Sequence, residues 1–194
     1  MSTHTQYWNE RAETMSADER AAGQLAALQR TLAHVWANSP YYRRRLEGAG
    51  VAPGDIRSLE DLARLPFLSK DDFREQYPLG MLSVPQGALR EMHMSSGSTG
   101  TPGVMAYTEA DIEQWGECMA RCYRMAGLQA GDVIQITPTF GLFNGGFGFY
   151  HGARKAGLFA IPASSGNSGT LKCPFFPSKV NIFAFFRRRA YFSA

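Results

Sequence analysis

A stretch of nine residues carries the densest set of potential phosphate-binding groups in the chain. It consists of Ser95, Ser96, Gly97, Ser98, Thr99, Gly100, Thr101, Pro102 and Gly103. Glycine tolerates positive φ and lets the backbone approach a ligand closely. Consecutive N–H groups in such a loop can converge on an anionic oxygen, and hydroxyl groups add donors that rotate to fit it. We therefore predict that residues 95–103 form a phosphate-binding loop between two strand-like runs.

The spacing of the glycines excludes two common phosphate motifs. The Walker pattern requires a second glycine five positions after the first, followed by lysine. Counting from Gly97, that position is Pro102, and no lysine follows it. The dinucleotide-binding fingerprint also fails, because no helix is predicted to open at Pro102. A flexible linker, or a hairpin turn between two strands, remains as the alternative to a phosphate site.

A second segment could hold an apolar ligand. Phe140, Phe143, Gly145 and Gly146 follow the β-rich run at residues 133–136. Ligands of α/β proteins lie beyond the carboxyl ends of strands. Here the phenylalanines could line a pocket, and the glycines would leave room for a flat ring. We expect the four residues at the ligand edge of the sheet, near loop 95–103. The alternative is that both rings belong to an ordinary core.

The elements around these segments predict an α/β fold with a helical N-terminal preface. Leu25, Leu28, Leu32 and Val35 recur at helical spacing, and Ser39-Pro40 ends that helix. After residue 90, strand and helix patterns alternate, which predicts a mostly parallel sheet. Capping-box spacing marks the starts of three more helices: Ser58 with Asp61, Ser69 with Asp72, and Thr108 with Asp111.

Composition and cysteine use indicate an intracellular protein. The 194 residues are 44% hydrophobic, which is ordinary for a globular domain, and we expect no membrane partner. Cys118 and Cys122 lie four apart in a helical pattern, and Cys122 is predicted on an apolar face with Ile112, Trp115 and Met119. We interpret the cysteines as small apolar residues in a reducing, cytoplasmic compartment and expect no metal site.

Basic residues are unevenly placed. Residues 169–194 contain five basic and no acidic residues, whereas residues 1–168 contain fifteen basic and seventeen acidic ones. The body of the chain therefore does not indicate a nucleic-acid surface. Arg43, Arg44 and Arg45 could bind phosphate or CoA, but a solvated basic helix turn is the favoured interpretation.

The segment 169–194 differs from everything before it. It holds six of the thirteen phenylalanines and shows neither helical nor alternating periodicity. We interpret it as an atypical, non-native tail. The alternative is a basic, aromatic segment that lies on a membrane or partner surface.

The order of several motifs resembles a known family. Loop 95–103 resembles the phosphate-binding signature of adenylate-forming enzymes. From about residue 7 to about residue 167 the chain resembles, more narrowly, the phenylacetate–CoA ligase family. The motifs that carry this resemblance are Tyr7-Trp8-Asn9, Ser39-Pro40-Tyr41-Tyr42-Arg43-Arg44, Ser58-Leu59-Glu60-Asp61-Leu62, Leu65-Pro66-Phe67, Lys70-Asp71-Asp72, Tyr77-Pro78-Leu79-Gly80 and Gly141-Leu142-Phe143-Asn144-Gly145-Gly146.

The resemblance implies a helical region at 1–90 and, at 91–168, part of the large N-terminal domain of an adenylate-forming enzyme. It implies formation of an acyl-CoA from an aryl acid, ATP and CoA with Mg²⁺, and a homodimer at full length. Residues 140–146 would contribute to the aryl pocket. Pro138 departs from the aromatic residue usual in the family, and Thr101 and Gly103 stand where many relatives carry a lysine.

The resemblance also implies what this chain lacks. The adenine and ribose motifs, the Mg²⁺-binding glutamate and the catalytic lysine of the family lie downstream of the matching region. We therefore expect no catalytic residue in this chain, and an inactive fragment when it is isolated. Two alternatives stay open: another aryl- or acyl-adenylating ligase of the same subfamily, and a non-catalytic remnant or phosphate-binding module.

Overall fold

The computed structural model describes residues 6–95, 100–165 and 180–183. These residues cluster into two compact units. The first unit is Glu10–Glu109, and the second joins the described residues before Glu10 to those after Glu109. No helix in the described part of the chain combines the length and apolarity needed to cross a membrane.

The first unit begins with three helices, α1 (Glu10–Glu13), α2 (Ala17–Asn38) and α3 (Pro40–Gly48). Helix α2 starts in a reciprocal capping box between Ser16 and Glu19, which satisfies backbone donors that a helix start leaves open. It ends just before Ser39-Pro40, as predicted, because a residue that precedes proline is disfavoured in the α region.

A small apolar cluster holds these helices together. Leu32, Leu46, Val51 and Ile56 are buried in it, and Leu25, Leu28, Val35, Trp36 and Leu65 pack against them. The predicted apolar face of α2 is thereby confirmed. The Gln29 side chain donates to the Ile56 carbonyl at 2.9 Å. This bond pins the connection after α3 to α2.

Short capped turns lead from this cluster to the hairpin. Helix α4 (Lys70–Glu75) has the predicted capping box, in which the Ser69 hydroxyl accepts from the Asp72 N–H and Asp72 accepts from Ser69. The Ser58 N–H donates to Asp61 at 2.9 Å, but the turn that follows, Glu60–Arg64, is a 3₁₀ helix. A further 3₁₀ turn covers Pro53–Asp55, and another, Gln86–Ala88, precedes the first strand.

The last elements of the first unit are two strands that form an antiparallel hairpin. Strand β1 (Leu89–Met94) pairs with β2 (Val104–Thr108). His93 lies opposite Met105, and Met94 lies opposite Val104. The hairpin therefore carries residues 95–103 as its connecting loop.

The second unit is an α/β layer. It contains α5 (Glu109–Met125), β3 (Val133–Ile136), α6 (Gly145–Lys155), β4 (Phe159–Pro162) and β5 (Val180–Phe183). The strands form one sheet in the order β4-β3-β5, and both pairings are parallel. The predicted α/β class with parallel pairing is confirmed in this unit. Strand β5 lies inside the segment 169–194, whose interpretation as a non-native tail stays a prediction.

Helices α5 and α6 pack unusually closely because glycines occupy their contact positions. A Cβ atom built on Gly152 would lie 2.2 Å from the Met119 Cβ, and one on Gly148 would lie 2.5 Å from the Trp115 ring. On the facing helix, a Cβ on Gly116 would lie 3.3 Å from the His151 carbonyl oxygen. Real Cβ atoms essentially never lie within 3.0 Å of another heavy atom, so Gly148 and Gly152 require glycine, whereas a Cβ on Gly116 would make a tight contact.

The buried face of α5 differs from the predicted one. Gly116, Ala120 and Tyr123 are buried, whereas Cys118 and Cys122 are both exposed. The prediction of Cys122 on the apolar face is therefore wrong. Hydrophobicity alone misplaced the face, because a glycine contributes no hydrophobic signal even where it makes the closest contact. The Tyr123 hydroxyl donates to the Phe149 carbonyl at 2.8 Å, and burial raises the pKa of Tyr123.

The start of the described chain is anchored on α5. The Trp8 indole N–H donates to Glu117 Oε2 at 2.7 Å, and the Asn9 amide donates to Glu117 Oε1 at 3.1 Å. Arg121 donates to the same carboxylate at 3.1 Å. These bonds, with that of Trp8 foremost, lower the pKa of Glu117. The Trp8 ring also packs against the core of the second unit, so the motif Tyr7-Trp8-Asn9 has a structural role.

Candidate functional site

The base of the predicted phosphate loop is closed by two hydrogen bonds. The Ser95 N–H donates to the Gly103 carbonyl at 3.0 Å, and the Gly103 N–H donates to the Ser95 Oγ at 2.9 Å. These bonds extend the hairpin by one residue pair beyond the two strands. The hairpin interpretation and the phosphate-loop interpretation are therefore compatible, since the hairpin presents the loop.

The described part of the loop comprises Ser95, Gly100, Thr101, Pro102 and Gly103. Gly100 has φ +125°, a conformation that side-chain-bearing residues rarely adopt. Ser95, Gly100 and Thr101 are exposed, as a ligand-binding loop requires. Ser96, Gly97, Ser98 and Thr99, which the prediction also includes, lie outside the described residues. The assignment of phosphate binding to residues 95–103 stays a prediction.

A polar cluster that the sequence did not suggest underlies the loop. Glu91, His93, Met105 and Tyr107 share one face of the hairpin, as their cross-strand register requires. His93 is only 3% exposed, and its Nε2 lies 3.1 Å from Glu91 Oε2. The Tyr107 ring meets the His93 ring edge-on, with centroids 5.6 Å apart. This cluster fixes the end of β1 two residues before the loop. The alternation of residues 91 and 93 was the available sequence signal.

The predicted aryl-binding segment begins after β3 and runs into α6. Pro138 is buried and Phe140 is half-buried against the core of the second unit, whereas Phe143 is 60% exposed. A Cβ built on Gly146 would lie 3.0 Å from the Phe140 ring, and one on Gly145 would lie 3.3 Å from the Phe143 ring. The glycines thus do leave room for flat rings, and the chain's own phenylalanines take that room.

The two phenylalanines differ in their surroundings. Phe140 makes edge-to-face contacts with Phe147 and Tyr150, at centroid distances of 5.4 and 6.2 Å, which is typical of a core residue. Phe143 carries its exposed ring at the start of α6, where a ligand could contact it. The placement of all four residues near loop 95–103 stays a prediction, because the loop and this segment belong to different units.

The arginine run 43–45 has structural partners. Arg43 stacks over the Trp36 ring at 5.4 Å from its centroid and pairs with Glu47 at 2.9 Å. Arg45 donates to the Phe67 carbonyl and lies 3.6 Å from Asp72. Arg44 is exposed. The favoured interpretation of this run as a structural, solvated helix turn agrees with these contacts for Arg43 and Arg45.

Asp72 of the motif Lys70-Asp71-Asp72 is the centre of a second polar cluster. It accepts the Tyr41 hydroxyl at 2.6 Å and the Ser69 N–H and hydroxyl at 2.6 and 2.8 Å. These hydrogen bonds, with that of Tyr41 first, lower the pKa of Asp72 to about 2. Burial and the same bond raise the pKa of Tyr41 to about 12. Both groups keep their ordinary charge near neutral pH, so their role is to join α3 to α4.

No group of three or more His, Cys, Asp or Glu side chains in the described ranges is arranged to hold a metal ion.

Comparison with known proteins shows which enzymes the chain resembles. No protein family model matches the chain. The phenylacetate-coenzyme A ligases of Aromatoleum evansii and Pseudomonas putida are each 43% identical to it over 156 residues, which is 80% of this chain and 36% of the relative. The chain is homologous to phenylacetate–CoA ligases. The ligase of Thermus thermophilus is 40% identical over 154 residues.

Solved structures agree with this homology. A 2-hydroxyisobutyryl-CoA ligase crystallised with 2-HIB-AMP and CoA superimposes with a TM-score of 0.80 at 34% identity. The match covers 87% of this chain and 37% of that one. The chain therefore has the fold of the N-terminal part of an acyl-CoA ligase, and it spans about 36% of the length of its curated relatives.

Proposed function

We propose that this chain provides the phosphate-binding and aryl-recognising part of an ATP-dependent phenylacetate–CoA ligase. Homology to several phenylacetate–CoA ligases at 40–43% identity over about 80% of the chain carries the proposal. The hairpin loop supports it independently, because its residue types and its presentation between paired strands suit a phosphate ligand.

In this function the carboxylate of the acid attacks the α-phosphate of ATP, which gives an acyl-adenylate and pyrophosphate, and the CoA thiol then displaces AMP. Negative charge on the phosphates must be stabilised in the first step, and preoriented N–H and O–H donors do this effectively. We assign that role to residues 95–103. The bonds between Ser95 and Gly103 would hold the two ends of the loop in register while its centre adapts to the phosphates.

The ligand set of the proposal is ATP, CoA and an aryl acid. Solved relatives hold an acyl-AMP and CoA, which supports nucleotide and CoA as ligands of the complete enzyme. Mg²⁺ would neutralise phosphate charge in that enzyme. We propose that the complete enzyme is cytoplasmic and that it forms a homodimer.

Substrate choice rests on residues 138–146. The exposed Phe143 ring beside Gly145 offers an apolar surface for a flat acid. Pro138, which stands in place of the family's usual aromatic residue, changes the shape of that surface. A 2-hydroxyisobutyryl-CoA ligase is also a relative of this chain, so an aliphatic acyl acid is the second candidate substrate class.

A chimera tests the proposal. The 156 matched residues of this chain would replace the corresponding segment of the Pseudomonas putida ligase, with the unmodified ligase as control. We expect thioester formation with phenylacetate and CoA. Preference for an aliphatic hydroxy acid would support the second substrate class. A folded chimera that exchanges pyrophosphate with neither acid would contradict the proposal. The isolated 194-residue chain should show no thioester formation in the same assay.

A further inference from the structure

We propose that Cys118 and Cys122 form a two-thiolate site for a soft metal ion of low coordination number, of which Cu(I) is the physiological example. Both thiols are exposed and free, and both belong to α5. This site goes beyond the proposed ligase function, and nothing in the adenylation chemistry uses it.

The helix sets the geometry of the pair. Residues four apart lie on the same helix face, with Cβ atoms about 5–6 Å apart. A disulfide requires Cβ atoms about 3.5–4.5 Å apart, so direct oxidation would distort α5. An ion between the sulfurs removes that restriction, because two metal–sulfur bonds of about 2.3 Å each can join sulfurs that lie too far apart for a disulfide bond.

The surroundings define which ions fit. The Gln114 amide donates to the Cys118 sulfur at 3.5 Å, from one turn earlier on the same helix. The described residues offer no group of three or more His, Cys, Asp or Glu ligands. Zn²⁺ prefers four ligands, whereas thiolates select soft ions such as Cu(I). The site should therefore discriminate strongly between Cu(I) and Zn²⁺.

The binding reaction is balanced without a redox step. Two S–H bonds break, two copper–sulfur bonds form, and both protons pass to the solvent, while copper stays in the +1 state. Bound copper would also join two successive turns of α5.

Competition with a chromogenic Cu(I) chelator under anaerobic conditions tests the site. The protein would carry Cys173→Ser, so that only the α5 thiols remain. We expect one Cu(I) per chain. Adding Cys118→Ser or Cys122→Ser should weaken binding by about a hundredfold or more, because a second ligand on the same scaffold acts at high effective concentration. Zn²⁺ at equal concentration should not displace the copper.

A re-spaced pair provides the matched control. Met125 is 82% exposed and lies seven residues after Cys118, about 10 Å further along the helix. The variant with Cys122→Ser and Met125→Cys keeps two exposed thiols on nearly the same face but places them too far apart for one ion. It should bind as weakly as the single-thiol variants, with unchanged helix content by circular dichroism. Equal affinity of the re-spaced pair, loss of binding on Cys173→Ser alone, or one ion per two chains would overturn the proposal.

Discussion

Different kinds of contact stabilise each of the two units internally. In the first unit, short polar contacts supplement a small apolar cluster: Ser16 with Glu19, Ser69 with Asp72, and Tyr41 with Asp72. In the second unit, glycines bring α5 and α6 into close contact, and the buried parallel strand β3 contributes Ile134 and Ile136 to the core. Polar caps tolerate small shifts of the backbone, whereas close helix packing does not. Substitutions should therefore cost most in the second unit.

The largest effect is expected for Gly152→Ala. Its new methyl group would lie 2.2 Å from the Met119 Cβ and 3.1 Å from the Tyr123 ring. Since the Met119 Cβ is fixed to the helix backbone, α5 and α6 must separate, which should lower the free energy of unfolding by about 3 kcal/mol. Urea denaturation followed by circular dichroism measures this value.

Gly23→Ala is the matched control for that substitution. Gly23 lies inside α2, and a Cβ atom there would meet nothing within 4 Å. The alanine should stabilise the helix by about 0.5–1 kcal/mol. Destabilisation of the same size at both positions would mean that α6 does not depend on close packing.

The polar contacts of the first unit should make the free energy of unfolding depend on pH. The pKa of Asp72 is lowered to about 2, below its ordinary value of about 3.9. Its contribution to stability is therefore present above about pH 4 and is lost as the pH falls towards 2. The pKa of Tyr41 is raised to about 12, so its contribution is present below about pH 10 and is lost as the pH rises towards 12.

Tyr41→Phe should flatten both limbs of the stability profile and cost less than Gly152→Ala, because solvent screens the partly exposed carboxylate. Tyr42→Phe is the control: its ring meets Tyr41 edge-on, but Tyr41 supplies the hydroxyl that bonds Asp72. Chemical denaturation at pH 3, 7 and 10.5 separates the variants. A Tyr41→Phe profile parallel to that of the unsubstituted chain would contradict this account.

The polar caps of the first unit are local in sequence and the helix packing of the second unit is not, and this difference explains which features the sequence could predict. Capping boxes join residues three apart, so Ser69 and Asp72 predicted α4 without knowledge of the fold. The apolar repeat of α2 is equally local. The buried face of α5 was missed because Gly116 is buried by α6, and the bond between Trp8 and Glu117 joins residues 109 apart. The periodicity of apolar residues in a short stretch of sequence cannot predict contacts between residues that are far apart in the chain.

In the candidate site, too, features formed by neighbouring residues could be predicted, and features that depend on contacts between more distant residues were missed. The phosphate loop was predicted from residue types that lie together in the chain, and its assignment stays a prediction. The cluster of Glu91, His93 and Tyr107 was missed, although strand alternation places the first two on one face. The rings beside Gly145 and Gly146 could not be predicted, because which ring occupies the space depends on how the segment folds back on itself.

A smaller effect is expected for Trp8→Phe. The variant loses the 2.7 Å bond to Glu117, while Asn9 and Arg121 keep the carboxylate partnered. A hydrogen bond to a charged group contributes about 1.5 kcal/mol, and the free energy of unfolding should fall by about that amount. Glu117→Gln should give a similar loss, and adding it to Trp8→Phe should cost less than the sum of the two. Strict additivity would show that the indole and the carboxylate do not act together.

The smallest effect on stability, and the most informative for function, is expected for Gly100→Ala. Gly100 has φ +125° with open space around its Cβ position, so alanine would meet only backbone strain, of about 1 kcal/mol, in an exposed loop. Gly87→Ala is the matched control, since Gly87 also faces open space in the first unit but needs no positive φ. In the chimera with the Pseudomonas putida ligase, Gly100→Ala should lower ATP–pyrophosphate exchange at least tenfold, because displaced N–H donors no longer meet the phosphates. Gly87→Ala should leave the exchange rate unchanged. If both alanine variants exchange pyrophosphate at the same rate, the conformation of Gly100 does not serve phosphate binding, and the role assigned to the hairpin loop is wrong.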